Sequence, residues 1–360
     1  MDWGHLAKRL SLGVGAIALA SAVLLLSDLK SRRGSEAAGA SGEDRKFRVA
    51  ILVHASQPIL EDGERGVIDG LAESGYINDQ NMIVTRFNAQ GDLANSNAIA
   101  LQIVNDKYDL AVTLSTPSLQ SLANANKFGK VRHVFGMVTD PIAAGVGIKG
   151  TKPDQHPPHL VGLGTLQPVA ESIDMARKFY PGLKTLGVVW NPAEINSQVT
   201  TKMCRDACAK LGIELKEVNA ENTAAVREAT AAVISQGVDA IWVGGDVTVL
   251  GAVDSLIALA KSSKIPVFTV IPGNADRGAL FDLGANYYEV GKQVGELGGR
   301  ILPLDTPISK IPVELYVPPK LCVNTLALHG LKAPWKAPAD ILAAADQVTD
   351  EKGTRKKPEP

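Results

Sequence analysis

Short apolar runs rich in β-branched residues alternate with amphipathic stretches along this chain, and the alternation happens twice. The first pass begins at Phe47 with FRVAILV, and the second begins at Lys184 with KTLGVVW. Each runs strand, helix, glycine, strand, helix, Asp-led strand, polar loop, helix, strand. The predicted strands are Val49–Val53, Met82–Phe87, Leu110–Leu114 and Val131–Val138 in the first pass. In the second they are Leu186–Trp190, Ile213–Val218, Ala240–Val243 and Val267–Ile271. These runs are apolar without strict alternation, as expected of parallel strands covered on both faces. Between them the spacing is helical: Val253, Leu256, Ile257 and Ala260 recur at i, i+3, i+4 and i+7. Strands alternating with such helices predict βαβ units. The expected fold is α/β, two doubly wound Rossmann-like lobes joined by a hinge.

A Pro/Gly-rich stretch with LVGLGT joins the passes and reads as a loop followed by an extended crossing between lobes. GALFDLGANYYEVGKQVGELGGRIL supplies a second extended piece and a helix, and IPVELYV with CVNTLALHGL closes the fold. The expected division is residues 47–162 with 285–310 as one lobe, and 163–284 with 311–331 as the other. Residues 332–360 are Pro-rich and charged, the composition of a disordered tail.

The amino end adds a different element. After Lys8 and Arg9 comes an uncharged run from Leu10 to Ser27, about 18 residues, near the lower limit for a membrane-crossing helix. It reads as a transmembrane anchor or as a secretory signal with Ala18-Leu19-Ala20 at the cleavage site. Cleavage there leaves VLLL exposed, which favours the anchor. A small, polar tether links this run, within residues 1–46, to Phe47. Lys30, Arg32 and Arg33 behind the run balance Lys8 and Arg9 ahead of it, so charge does not set its orientation.

Composition removes several function classes. A net charge of −1 gives no field for nucleic acid, and 5% aromatics supplies no stacking platform. Cys204 and Cys208 sit at i, i+4 on the apolar side of a predicted helix and read as small buried residues. His156 and His159 are separated by two prolines and lack an acidic ligand set, which argues against a metal. No nucleophile elbow, Walker loop or dinucleotide fingerprint occurs, and no cofactor is expected.

What remains is a set of polar loops at the carboxyl ends of strands, where open α/β sheets bind ligands. Ser115 and Thr116 precede Pro117 at a helix start, a natural seat for a carboxylate as well as an N-cap. Thr139 and Asp140 end the last strand of the first pass. Asp140 is either a turn former or an ammonium partner, and Asp246 in GGDVTV is either an N-cap or an ammonium partner. Asn196 and Ser197 follow the first strand of the second pass, with amide and hydroxyl groups for a ligand's polar head. Ser56 and Gln57 lead into Pro58 in the loop after the first strand. Asn274 and Tyr287 complete the candidate set.

NAQGD (Asn88–Asp92), STP before a helix, VTDPIAAG, NPAEINS, DVTV and the closing IPVE together resemble the ABC-transporter solute-binding proteins of the tryptophan/tyrosine-binding type. The resemblance spans roughly Phe47 to Leu331. It implies a type I periplasmic-binding-protein fold, a monomer outside the cytoplasm, an amino-acid-like ligand in the interlobe cleft and a membrane permease as partner. The chain departs from that family at three polar positions. Ser56-Gln57 stand where a Glu-His pair is usual, Val247 replaces an Asn, and Asn286 replaces an Asp. A membrane-tethered ligand sensor on the same fold, or an α/β enzyme, are the alternatives.

Overall fold

The computed structural model describes residues 45–303 and 306–357. The Leu10–Ser27 run lies outside them, and among the described residues no helix is long and apolar enough to cross a membrane. The first pass folds as β1 (Phe47–Val53), α1 (Pro58–Glu73), β2 (Met82–Asn88), α2 (Leu93–Asn105), β3 (Leu110–Leu114), α3 (Thr116–Ala125), β4 (Arg132–Val138) and β5 (Leu160–Gly164). After α4 (Val169–Phe179) the second pass gives β6 (Thr185–Trp190), α5 (Ile195–Leu211), β7 (Glu214–Asn219), α6 (Val226–Ser235) and β8 (Ala240–Val243). It continues with α7 (Val247–Leu250), α8 (Val253–Ser262), β9 (Val267–Thr269) and β10 (Phe281–Ala285). Then come α9 (Tyr287–Ile301), β11 (Glu314–Leu315), β12 (Pro319–Asn324), α10 (Ala339–Ala344), β13 (Gln347–Asp350) and β14 (Gly353–Lys356).

Two sheets result, ordered β11-β5-β4-β3-β1-β2 and β14-β13-β12-β10-β9-β8-β6-β7. Within each, the five strands of one pass keep the same relative order, the second strand outside the first and the remaining three on the other side. That order reverses between β1 and β3, and again between β6 and β8. Open α/β sheets bind their ligands at such reversals. All pairings of the first sheet are parallel, and β1 from Val49 onward and the whole of β3 are buried, as strands covered on both faces are.

Three parts of the sequence reading are corrected. LVGLG is not a crossing but β5, paired with β4 in the first sheet, so the chain leaves that lobe only after Gly164. IPVEL supplies β11, which pairs with β5 in the first lobe, whereas β12 pairs antiparallel with β10 in the second. The tail is ordered over much of its length: β13 runs parallel to β12, and β14 folds back on β13 as a hairpin. Trp335 is the anchor that composition hid. It is 5% exposed and its ring lies 5.2 Å from that of Tyr180, while Ile341 and Val348 join the same core. Trp335→Ala is expected to cost about 3 kcal/mol, read as a lower denaturant midpoint at unchanged slope; a change within error would mean that the tail merely lies on the surface.

One contact sets the geometry of the cleft. Helices α1 and α9 pack backbone to backbone through glycines. A Cβ on Gly66 would run into the carbonyl of Tyr288, and one on Gly291 into the carbonyl of Gly63. Because α9 follows β10 of the second lobe yet packs on the first, its first turn stands at the crossing between lobes. Gln57, the N-cap position of α1, and Tyr287, the first residue of α9, therefore both open onto the cleft.

Candidate functional site

The carboxyl-end loops of the two sheets face one another and enclose a cavity of ≈ 30 Å³, space for about one water. From the first lobe come Gln57, Ser115, Thr116, Met137 and Thr139; from the second, Asn196, Gly245 and Val247; Gln167 and Tyr287 stand where the chain crosses. The lobes are latched: Gln57 Nε2 donates to the Val247 carbonyl at 2.9 Å. A solute of amino-acid size enters only when the lobes part. Gln57→Ala removes a bond worth about 1 kcal/mol and is expected to raise the radius of gyration in small-angle scattering as the open form gains population. An unchanged scattering profile would show that the latch does not hold the lobes.

The first-lobe wall is built on unusual backbone. Ser115 has φ 115° and ψ 157°, a region populated almost only by glycine. Its hydroxyl caps α3, accepting from Ser118 N at 3.3 Å, and the turn leaves the α3 amino end facing the cavity. Met137, also at positive φ (56°), sits where the β4–β5 register shifts, a bulge that re-aims side chains. Two strained residues on one wall are a signature of sites where backbone position matters.

The second-lobe wall is held by two carboxylates that sit behind it. Asp246 is 2% exposed, and its Oδ2 accepts from Asn191 N at 2.5 Å and Ser197 Oγ at 2.6 Å, its Oδ1 from Val249 N at 2.8 Å. Burial, then the nearby Glu194 carboxylate, raises its pKa to about 7. Glu194 accepts from Val247 N at 2.9 Å, Thr248 N at 2.9 Å and Thr248 Oγ1 at 2.6 Å. It ties the loop after β6 to the loop after β8, and so positions the Val247 carbonyl that Gln57 meets. Across the cleft, burial lowers the pKa of His54 at the end of β1, while Glu194 and then Asp92 pull it up.

Of the residues singled out in sequence, Gln57, Ser115, Thr116, Thr139, Asn196 and Tyr287 line this cavity. Asn274 borders an adjoining cavity of ≈ 40 Å³ that shares Gln57, with its amide donating to the Ile271 carbonyl at 2.8 Å. The others are turned elsewhere. Ser56 is exposed and accepts from Asn88 Nδ2 at 2.9 Å. Asp140 Oδ1 accepts from the amides of Ile142 and Ala143, at 2.9 and 3.0 Å, inside its own turn. Asp246 and Ser197 bond each other behind the wall. Asp246 thus caps α7, and Asp140 closes its own turn.

Two residues escaped the sequence reading. Glu194 lies inside WNPAEINS, where Asn196 and Ser197 drew attention, and only the fold brings it to Thr248. Gln167 follows β5 in the crossing; it packs against Gly245 and Nε2 donates to Tyr287 Oη at 3.2 Å. No pattern in TLQPVA signals it. Cys204 and Cys208 are buried free thiols. His156 is held by the Ile311 carbonyl at 2.7 Å, and among the described residues no cluster of His, Cys, Asp and Glu is arranged to hold a metal ion.

The family model for ABC transporter substrate binding proteins matches residues 48–349. The chain belongs to this family. It is a solute-binding protein and not an enzyme, with the type I periplasmic-binding-protein fold. It is similar to the tyrosine-binding protein of Clostridioides difficile (strain R20291), 26% identical over 315 residues that span 86% of this chain and 89% of the relative. Among solved structures, a conserved domain protein of Vibrio cholerae matches with a TM-score of 0.78 at 30% identity, over 84% of this chain and 100% of that one. A Streptococcus pneumoniae ABC domain in complex with L-Trp also gives 0.78, at 24% identity over 84% and 99% of the two chains. The ligand-free, open structure of a Clostridium difficile substrate binding protein with adhesive properties gives 0.62 at 26% identity, over 82% and 97%.

Proposed function

We propose that this substrate-binding protein works outside the cytoplasm, held to the membrane by the Leu10–Ser27 run. There it captures a small amino-acid-like solute in the interlobe cleft and hands it to an ABC permease for import. The observation that carries the reading is the two-sided cavity. Strand-end loops of both lobes meet there and are joined by Gln57 and Val247. A ligand that touches both walls binds the closed form better than the open one, and closure follows from that difference in affinity. The α3 amino end, with Thr116 and Thr139 beside it, takes the carboxylate; Asn196 and Tyr287 hold the other end. The tyrosine-binding relative and the L-Trp complex support an amino-acid-like solute.

The test is thermal stabilisation of the full chain across a panel of α-amino acids, their 2-hydroxy counterparts and small amides. Saturation at 100 times Kd adds about 2.7 kcal/mol. Binding by any member, weakened in Thr116→Val, is the expected result. Silence across the whole panel would defeat the reading.

A further inference from the structure

The cavity is lined by neutral groups, and two of its polar atoms lack a protein partner. Asn196 is 4% and Gln167 5% exposed. Asn196 Oδ1 and Gln167 Oε1 are buried without a hydrogen bond while their residues line the cavity. The Asn196 amide is oriented by its own network, because Nδ2 donates to Glu194 Oε2 at 3.0 Å and to the Gly245 carbonyl at 2.6 Å. Only the oxygen remains to face the ligand. Buried acceptors of this kind are costly unless something donates to them.

Nothing on the walls balances a positive charge. Among the described residues the lining contains no Asp, Glu, Lys, Arg or His; its one ionisable group is Tyr287, whose phenol burial pushes to about 12. Asp140, Glu194 and Asp246 do not line it; Asp140 Oδ1 accepts from amides of its own turn, and both oxygens of Glu194 and of Asp246 accept from groups of the second lobe. At the opposite end stands the amino end of α3, ten residues long, whose dipole favours negative charge. The α3 end of the site therefore suits an anion, and at the other end no carboxylate on the wall can contact an ammonium, because Glu194 lies behind Asn196 with its oxygens taken by protein donors.

Resting on the proposed function, we infer that this site selects small carboxylic acids whose second polar group is an uncharged donor, a hydroxyl as in a 2-hydroxy acid, over the matching amino acids. The carboxylate sits at the α3 amino end, and the hydroxyl donates to Asn196 Oδ1 or Gln167 Oε1.

Matched pairs test it by calorimetric titration of the full chain: L-tyrosine against L-4-hydroxyphenyllactate, L-tryptophan against L-indole-3-lactate, and L-leucine against L-2-hydroxyisocaproate. In at least one pair the hydroxy acid is expected to bind roughly tenfold or more tightly, about 1.4 kcal/mol in binding free energy. In Gln167→Glu, where a carboxylate can accept from Tyr287 Oη and also meet an ammonium, the preference is expected to swing toward the amino acid. Tighter binding of the amino acids by the unaltered protein would overturn the inference and leave solute binding standing. A preference unmoved in a folded Gln167→Glu would also overturn it. No binding by any pair would overturn it, and with silence across the wider panel would defeat the proposed function as well.

Discussion

Gly291→Leu is expected to prevent the first lobe from folding stably, at a cost of about 5 kcal/mol or more. The reason lies in what faces the glycine. A Cβ at position 291 would meet the carbonyl oxygen, carbonyl carbon and Cα of Gly63, all backbone atoms of α1. Side chains relieve crowding by changing rotamer, but a helix backbone relieves it only by moving the helix. The same holds elsewhere along the seam, since Gly66 of α1 faces the Tyr288 carbonyl and Gly295 of α9 faces the Val67 carbonyl. Leucine's better helix propensity, about 0.8 kcal/mol over glycine, is too small to compensate. Helix α9 would be pushed from α1, carrying Tyr287 away from Gln167 and opening the wall of the cleft. Urea unfolding of the purified variant reads the loss, and a midpoint near that of the parent chain would show that the helices separate at little cost.

That seam also shows where sequence reading stops. GERGVIDG and GKQVGELGG are each conspicuous, yet neither announces that it packs on the other, because they belong to segments separated by the entire second pass. The strands were legible because parallel strands buried on both faces must be apolar throughout, and Val49–Val53 or Ala240–Val243 have no other use for such runs. LVGLG was harder: five residues with two glycines have little side chain to declare a strand, and β5 is fixed by pairing with β4 instead. The tail misled because Trp335, Ile341 and Val348 are diluted among prolines and charges. At the site, loops were legible and side-chain directions were not. Asp140 has the residue type that a turn former or an ammonium partner would need, Asp246 that of a cap or an ammonium partner, and the choice between those roles depends on donors that only folding brings near. Gln167 had no signal at all, since one glutamine in a crossing segment looks like any other.

Asp246→Ala is expected to destabilise the second lobe by about 4 kcal/mol. It leaves the amides of Asn191 and Val249 and the hydroxyl of Ser197 without their acceptor, at roughly 1–3 kcal/mol for each buried group left unsatisfied. The same carboxyl also makes stability depend on pH, with a sign opposite to that of an ordinary paired aspartate. Its pKa is raised from 3.8 to about 7 in the folded protein. Between those values the native state keeps a proton that the unfolded chain has released. Its contribution is therefore complete below about pH 4 and is lost as pH rises through 7. Asp282, buried beneath Thr269 and the Ala275 amide, behaves alike, with burial raising it to about 7. His133 opposes both: burial draws it down to about 3, so its contribution is lost as pH falls. Comparison with Asp246→Asn isolates one group from the others. Relative to that variant, the parent protein should be more stable at pH 4.5 than at pH 7.5, by an amount on the order of 3–4 kcal/mol at most. A stability difference that stays flat with pH would mean that Asp246 is charged throughout, as a ligand-facing carboxylate would be, and would reopen the ammonium role that its three intramolecular donors now argue against.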